Sequence, residues 1–152
     1  MTPLDCSMCL ADYLKRVLDD YVFEDGVVNK EINIKDGFVL KAMTLEEKQK
    51  QCPAIIIRPT EIIDDDYDAD SIVKIDINVI TFSKDKEYGH RDLYHILQVI
   101  RSALYRQQLL ARKYRLTGKT NTLIPADQPY PQWWGVIEVS YTIARFLNEE
   151  EI

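Results

Sequence analysis

The sequence predicts an α+β domain, sandwich-like in its layering. A single mixed, mostly antiparallel β-sheet carries two main helices packed on one face. Three observations predict it. Val73, Ile75, Ile77 and Val79 alternate with Lys74, Asp76 and Asn78, the period-two pattern of a strand with one buried and one wet face. From His90 the period changes, and Leu93, Ile96, Leu97, Ile100, Ala103 and Leu104 recur at helical spacing, the stripe of a helix lying on a sheet. A second helical stripe, Cys6, Cys9, Leu10, Tyr13, Leu14, Val17, Leu18 and Tyr21, runs near the start of the chain.

The elements follow in order. Thr2-Pro3-Leu4-Asp5 starts the first helix with a Thr cap, Pro in the first turn and an early acid; the helix is expected over about Pro3 to Tyr21. Glu24-Asp25-Gly26 is a turn. Val27 to Met43 has strand character, with Asp36-Gly37 a hairpin turn into Phe38-Val39-Leu40. Thr44-Leu45-Glu46-Glu47 has the form of a capping box, opening either a turn or two of helix or a loop. Ile55-Ile56-Ile57 between Pro53 and Pro59 reads as a strand covered on both faces, with Pro59 ending it because proline has no donor for the ladder. An acidic loop over 64–70 leads into the alternating strand, which begins near Ser71. After the long helix, Thr117-Gly118-Lys119 reads as a turn and Asn121 to Pro125 as a short strand. Trp133 to Ile143 is the last strand. Its two faces are Trp133, Gly135, Ile137, Val139, Tyr141, Ile143 and Trp134, Val136, Glu138, Ser140, Thr142. The whole of 1–152 reads as one domain, with the acidic stretch at about 147–152 expected to fray.

Composition narrows function. With 46% apolar residues the chain buries a core, and 29% charged residues keep it in solution. The net charge of -6 argues against nonspecific nucleic-acid binding, which needs a basic stripe to displace counterions. No apolar run approaches the roughly 18 residues that cross a bilayer. Met1-Thr2-Pro3-Leu4-Asp5 lacks the basic region of a signal peptide. The three cysteines are therefore expected reduced, and synthesis cytoplasmic.

Each chemical motif fails on its own terms. Cys6-Ser7-Met8-Cys9 is a CxxC, but no strand precedes it and no second ligand pair completes a zinc site; small buried hydrophobes are the better reading. Asp64, Asp66, Asp68 and Asp70 match the first alternating ligands of a calcium loop, yet Ala69 stands where the turn needs Gly and Ile75 where the last ligand needs Glu. His90 and His95 are five apart on a helix, about 140° around the axis, so they do not share a metal. No glycine-rich phosphate loop is present. The expectation is no enzyme, no cofactor and no metal. What remains is charge. Arg106, Arg112, Lys113, Arg115 and Lys119 form a basic cluster in an acidic chain. An acidic loop and a basic cluster on one chain are what identical subunits pair head to tail in a ring.

The order of segments resembles the tail terminator (tail completion) proteins of long-tailed bacteriophages and prophages. Four pieces carry the likeness: an N-terminal helix on a chain of this length; Ile55-Ile56-Ile57-Arg58-Pro59 followed by the acidic loop; the alternating strand running into Gly89-His90-Arg91-Asp92-Leu93 and a helix ending in Ile100-Arg101-Ser102-Ala103-Leu104; and Gln128-Pro129-Tyr130-Pro131-Gln132-Trp133-Trp134-Gly135 before the last strand. They cover about Pro53 to Ile143, and Val27 to Gln51 lies outside them. The resemblance implies a homo-hexameric ring on the head-proximal end of the tail tube, in the virion, put together in the host cytoplasm. The ring stops tube polymerisation and forms the tail side of the head-tail joint. The implied partners are further copies of the chain, the major tail tube protein and the head-tail connector protein, with no nucleic-acid sequence recognition and no membrane. The residues expected at intersubunit or tube contacts are Asp64, Asp65, Asp66, Asp68, Asp70, Arg106, Arg112, Lys113 and Arg115. A neck or head-closure protein of the same particle is the alternative, and a small cytoplasmic enzyme the third.

Overall fold

A computed structural model describes residues 2–19, 21, 31–38, 44–65 and 69–144. Its centre is a pair of twelve-residue antiparallel strands, β3 (Ser71–Phe82) and β6 (Gln132–Ile143), paired along their whole length from Ser71↔Ile143 to Phe82↔Gln132. Around them lie β1 (Asn33–Asp36), β2 (Ala54–Ile63), β4 (Leu109–Leu110) and β5 (Tyr114–Leu123), in the sheet order β1-β2-β3-β6-β5-β4. Among the described residues only β1 and β2 are parallel, and every other pairing is antiparallel. Helices α1 (Pro3–Val17) and α3 (Arg91–Arg106) pack on one face, and the short α2 (Leu45–Gln51) buries no residue. The expected α+β fold, one mixed sheet with two main helices on one face, is what forms.

Periodicity explains the core. Val73, Ile75, Ile77 and Val79 are fully buried, as are Leu93, Ile96, Ile100, Ala103 and Leu104 of α3. Leu10 and Leu14 of α1 and Ile137 and Tyr141 of β6 complete the same cluster. Burying one such aliphatic side chain contributes about 2 kcal/mol, so sheet face and helix stripes stabilise one another. The Tyr13 hydroxyl crosses between the helices and donates to the Ala103 carbonyl at 2.8 Å.

Local signals hold at the helix starts. Thr2 caps α1 by accepting from the Asp5 amide at 3.0 Å, with Pro3 in the first turn. Thr44 and Glu47 make the reciprocal capping box of α2, which selects helix over loop for that segment. The first helix ends at Val17, short of Tyr21.

Other boundaries differ from the sequence expectation. Pro59 does not end its strand: β2 continues to Ile63, and the register shifts between Pro59 and Glu61. A bulge tolerates a residue without an N–H. Thr117-Gly118-Lys119 is no turn between separate elements. It is an irregularity inside the continuous β5, where the register slips between Thr117 and Asn121 and Gly118 adopts φ +67°. Pairing on β6 carries the strand across what local chemistry marks as a break. Strand β1 pairs in parallel with β2, and the Gly37 amide donates to the Ile57 carbonyl at 3.0 Å; Val39 and Leu40 of the expected Asp36-Gly37 hairpin lie outside the described residues. Most of the remaining Val27 to Met43 expectation, and the stretch 147–152, lie outside the described residues.

The Pro-Tyr-Pro segment is a structural clamp. Peptide bonds Cys52–Pro53 and Tyr130–Pro131 are cis. The Gln128 side-chain Nε2 donates to the carbonyls of Pro125 (2.7 Å) and Trp134 (3.0 Å). The Trp133 indole donates to the Ser83 carbonyl at 3.1 Å, and the Tyr130 hydroxyl to the Lys84 carbonyl at 2.6 Å. Together they fasten the start of β6 to the loop that enters α3.

Candidate assembly surface

Strand register decides where the charges go. At one end of the sheet Ile63, Ile72, Thr142 and Arg115 form a continuous cross-strand row. The β2–β3 loop rises from one flank of that row, and the β4–β5 turn from the other. Strand β1 covers only Ala54–Ile57, so at this end the second half of β2 is the sheet edge among the described residues. Four strand spacings separate β2 from β4, roughly 20 Å at about 4.8 Å each. The acidic and basic segments therefore stand at one height on opposite flanks.

Asp64, Asp65 and Asp70 are exposed on the acidic flank. Asp64 accepts a hydrogen bond from the Ser71 hydroxyl, which anchors the loop to the start of β3. Asp66 and Asp68 fall outside the described residues. On the basic flank Arg106 ends α3, where a cation complements the helix dipole. Arg112 and Lys113 occupy the β4–β5 turn, closed by the Lys113 amide donating to the Leu110 carbonyl at 2.9 Å. Ala111 (φ 49°) and Arg112 (φ 59°) both adopt the left-handed region, at roughly 1–3 kcal/mol for each non-glycine residue. Arg115 follows on β5, exposed.

Not all of the basic cluster is available for a partner. Lys113 Nζ lies 3.8 Å from Asp5 Oδ2. Asp5 also accepts from the buried Tyr114 hydroxyl, tying the start of α1 to β5. Arg106, Arg112 and Arg115 make no ion pair among the described residues. The role of Asp5 as an anchor carried no sequence signal, since its partner lies 109 positions away.

A second feature was invisible until register was known. Asp76 and Glu138 stand directly opposite one another on the sheet face turned away from α1 and α3. They floor a shallow groove of about 230 Å³ with Thr60, Lys74, Lys119, Asn121 and Ser140. Burial, then Glu138, push the Asp76 carboxyl above its usual value of 3.8, against the pull of Arg58. A carboxyl raised in the folded state favours folding in its protonated form. The penalty is absent below about pH 3.8 and grows as pH rises through the raised value. Asp76→Asn is therefore expected to stabilise the protein at pH 7 by about 0.5 kcal/mol, a like-charge cross-strand pair being removed. The advantage disappears near pH 3, as urea titrations at the two pH values read.

Burial governs the two thiols of the CxxC. Cys6 is buried, and burial first, then Cys9 and Asp5, push its thiol up to about 12. Burial and Asp5 raise Cys9 as well. A thiol held protonated is a poor nucleophile and a poor metal ligand. No group of three or more His, Cys, Asp or Glu is placed to hold a metal among the described residues. No helix among them is long and apolar enough to cross a membrane. The chain matches no known family model, and no curated protein matches it.

Proposed function

We propose that this chain is a tail terminator subunit that assembles as a homo-oligomeric ring, probed first for a hexamer, on the end of a phage tail tube. It acts by geometry: the ring stops tube polymerisation and forms the tail side of the head-tail joint. One observation carries the self-assembly part, the placement of the acidic β2–β3 loop and the basic β4–β5 turn at one height on opposite flanks. A head-to-tail contact joins two different surfaces of one subunit, and repeating it around an axis closes a ring. Charges of opposite sign on those two surfaces also steer encounter and fix register.

The tail assignment is supported by the order of segments along the chain. Two of its pieces, Gly89-His90-Arg91 and Pro131-Gln132-Trp133, are distant in sequence and meet in space around the Trp133 ring. The experiment is negative-stain electron microscopy of the purified protein, alone and mixed with the major tail tube protein. Rings, or tubes capped at one end and held at one length, are the expected result. Monomers that neither assemble nor touch tubes would move the assignment to a neck protein binding the connector.

A further inference from the structure

We infer that Asp5, at the start of α1, is a positioning residue of the assembly surface: through Tyr114 it holds the β4–β5 turn in the form that presents Arg112 to a neighbouring subunit. The use of the turn by a neighbour rests on the ring reading; the hold on the turn does not.

By itself the turn is weakly held. Ala111, Arg112 and Lys113 are all exposed, between the two-residue β4 and the start of β5. Across it only Leu109↔Arg115 and Leu110↔Tyr114 pair, among the described residues. The Lys113 amide donates to the Leu110 carbonyl at 2.9 Å, and the Leu116 amide to the Gln108 carbonyl at 2.7 Å. A hairpin that short is marginal alone. It also carries two successive left-handed residues, Ala111 (φ 49°) and Arg112 (φ 59°), neither of them glycine. In that region Cβ crowds the backbone, and such residues persist only where the surroundings over-determine them.

Helix α1 supplies those surroundings. Asp5 Oδ2 accepts from the Tyr114 hydroxyl and lies 3.8 Å from Lys113 Nζ. The residue that ends the turn and the one that begins β5 thus converge on one carboxylate oxygen. A hydrogen bond to an ionised acceptor is roughly twice as strong as a neutral one. Tyr114 is fully buried, and so is Leu110, its partner across the hairpin. Packing therefore fixes the Tyr114 ring along its length, and Asp5 fixes its tip. Asp5 is in turn held in the first turn of α1, its amide donating to the Thr2 hydroxyl at 3.0 Å, where the helix dipole favours an anion. With Lys113 drawn toward α1, Arg112 is left exposed at the tip and makes no ion pair among the described residues. An Arg112 already held in place loses less freedom when a neighbour's acidic loop docks.

Two measurements on the full chain test this. Sedimentation velocity reads the concentration at which rings form, and NMR amide and Cα shifts of the unassembled chain read the turn. Y114F removes the hydroxyl and keeps the ring's packing. It is expected to move the shifts of Ala111 and Arg112 and to raise the assembly concentration about fivefold, the factor set by the low end of left-handed strain at one residue. D5A removes the same tie from the other side and is expected to act alike. Glycine enters the left-handed region without a Cβ penalty, so in an A111G background Y114F is expected to raise that concentration by less than about twofold. A loss of fold stability alone would lower the thermal midpoint equally in both backgrounds. Y114F rings at the parent's concentration, unmoved turn shifts, or an undiminished loss in the A111G background overturn the inference and leave the ring reading standing. A parent chain that forms no ring under any condition, with turn shifts that still move in Y114F, removes the ring reading and the neighbour's use of the turn, but not the hold of Asp5 on it.

Discussion

Replacing both Arg112 and Arg115 with glutamate is expected to abolish ring assembly and tube capping while leaving the thermal midpoint within about 2 °C of the parent. Both side chains are exposed and make no ion pair among the described residues, so their loss breaks no contact of the fold. Each exposed charge pair contributes only about 0.2–1 kcal/mol. Reversal replaces attraction by repulsion and so doubles the change at each position. A ring repeats that change at every interface, so a few kcal/mol per contact accumulates around the circle. Assembly is read by electron microscopy and sedimentation, stability by circular dichroism. Reversing Asp65 and Asp70 to lysine in the same chain, with the loop anchor Asp64 kept, should restore rings, since the two flanks then carry exchanged signs. A doubly reversed chain that stays monomeric would sink the flank-to-flank pairing. A singly reversed chain that still caps tubes would do so equally.

Gly89→Ala is expected to destabilise the fold by about 3 kcal/mol, the upper range for overpacking. A Cβ at this position would lie 2.3 Å from the Asp85 carbonyl oxygen and 2.8 Å from Trp133 Nε1. Neither neighbour is free to move. The Asp85 carbonyl accepts from the Gly89 amide at 3.0 Å. The Asp85 side chain accepts from the amides of Glu87 (2.9 Å) and Tyr88 (3.1 Å), which sets the loop. The Trp133 indole is held by the Ser83 carbonyl. Relief would need the whole entry to α3 to shift against the start of β6. For a chain of this size the loss lowers the midpoint by about 9 °C. A change below about 2 °C would show that this corner yields to the added methyl group.

The candidate surface was partly legible beforehand and partly not. The signs of the two charged segments stand in the sequence. Their joint position at one end of the sheet does not, because it depends on β6 lying between β3 and β5. Lys113 reads as one more surface cation, yet it sits by Asp5 from the other end of the chain. The Asp76–Glu138 pair was hidden for the same reason. Alternation puts each residue on a wet face, and only the pairing of two strands 62 positions apart (138 minus 76) sets them side by side.

The sequence by itself determined what rests on local energetics. Period-two and helical stripes chose β3, β6, α1 and α3, because each apolar face has one geometry that buries it. Thr2 with Pro3 fixed the start of α1 through hydrogen bonding within a single turn, while Thr44 and Glu47 supplied a capping box and left helix or loop open. The tertiary structure decided everything that local preference opposed or left open. It carried β2 through Pro59 and β5 through Gly118, since pairing with a long central strand outweighs one lost ladder bond. It laid β1 parallel to β2, and it held Ala111 and Arg112 in the left-handed region at the basic turn. It also set the acidic and basic segments on opposite flanks, a relation among distant strands that no window of sequence contains.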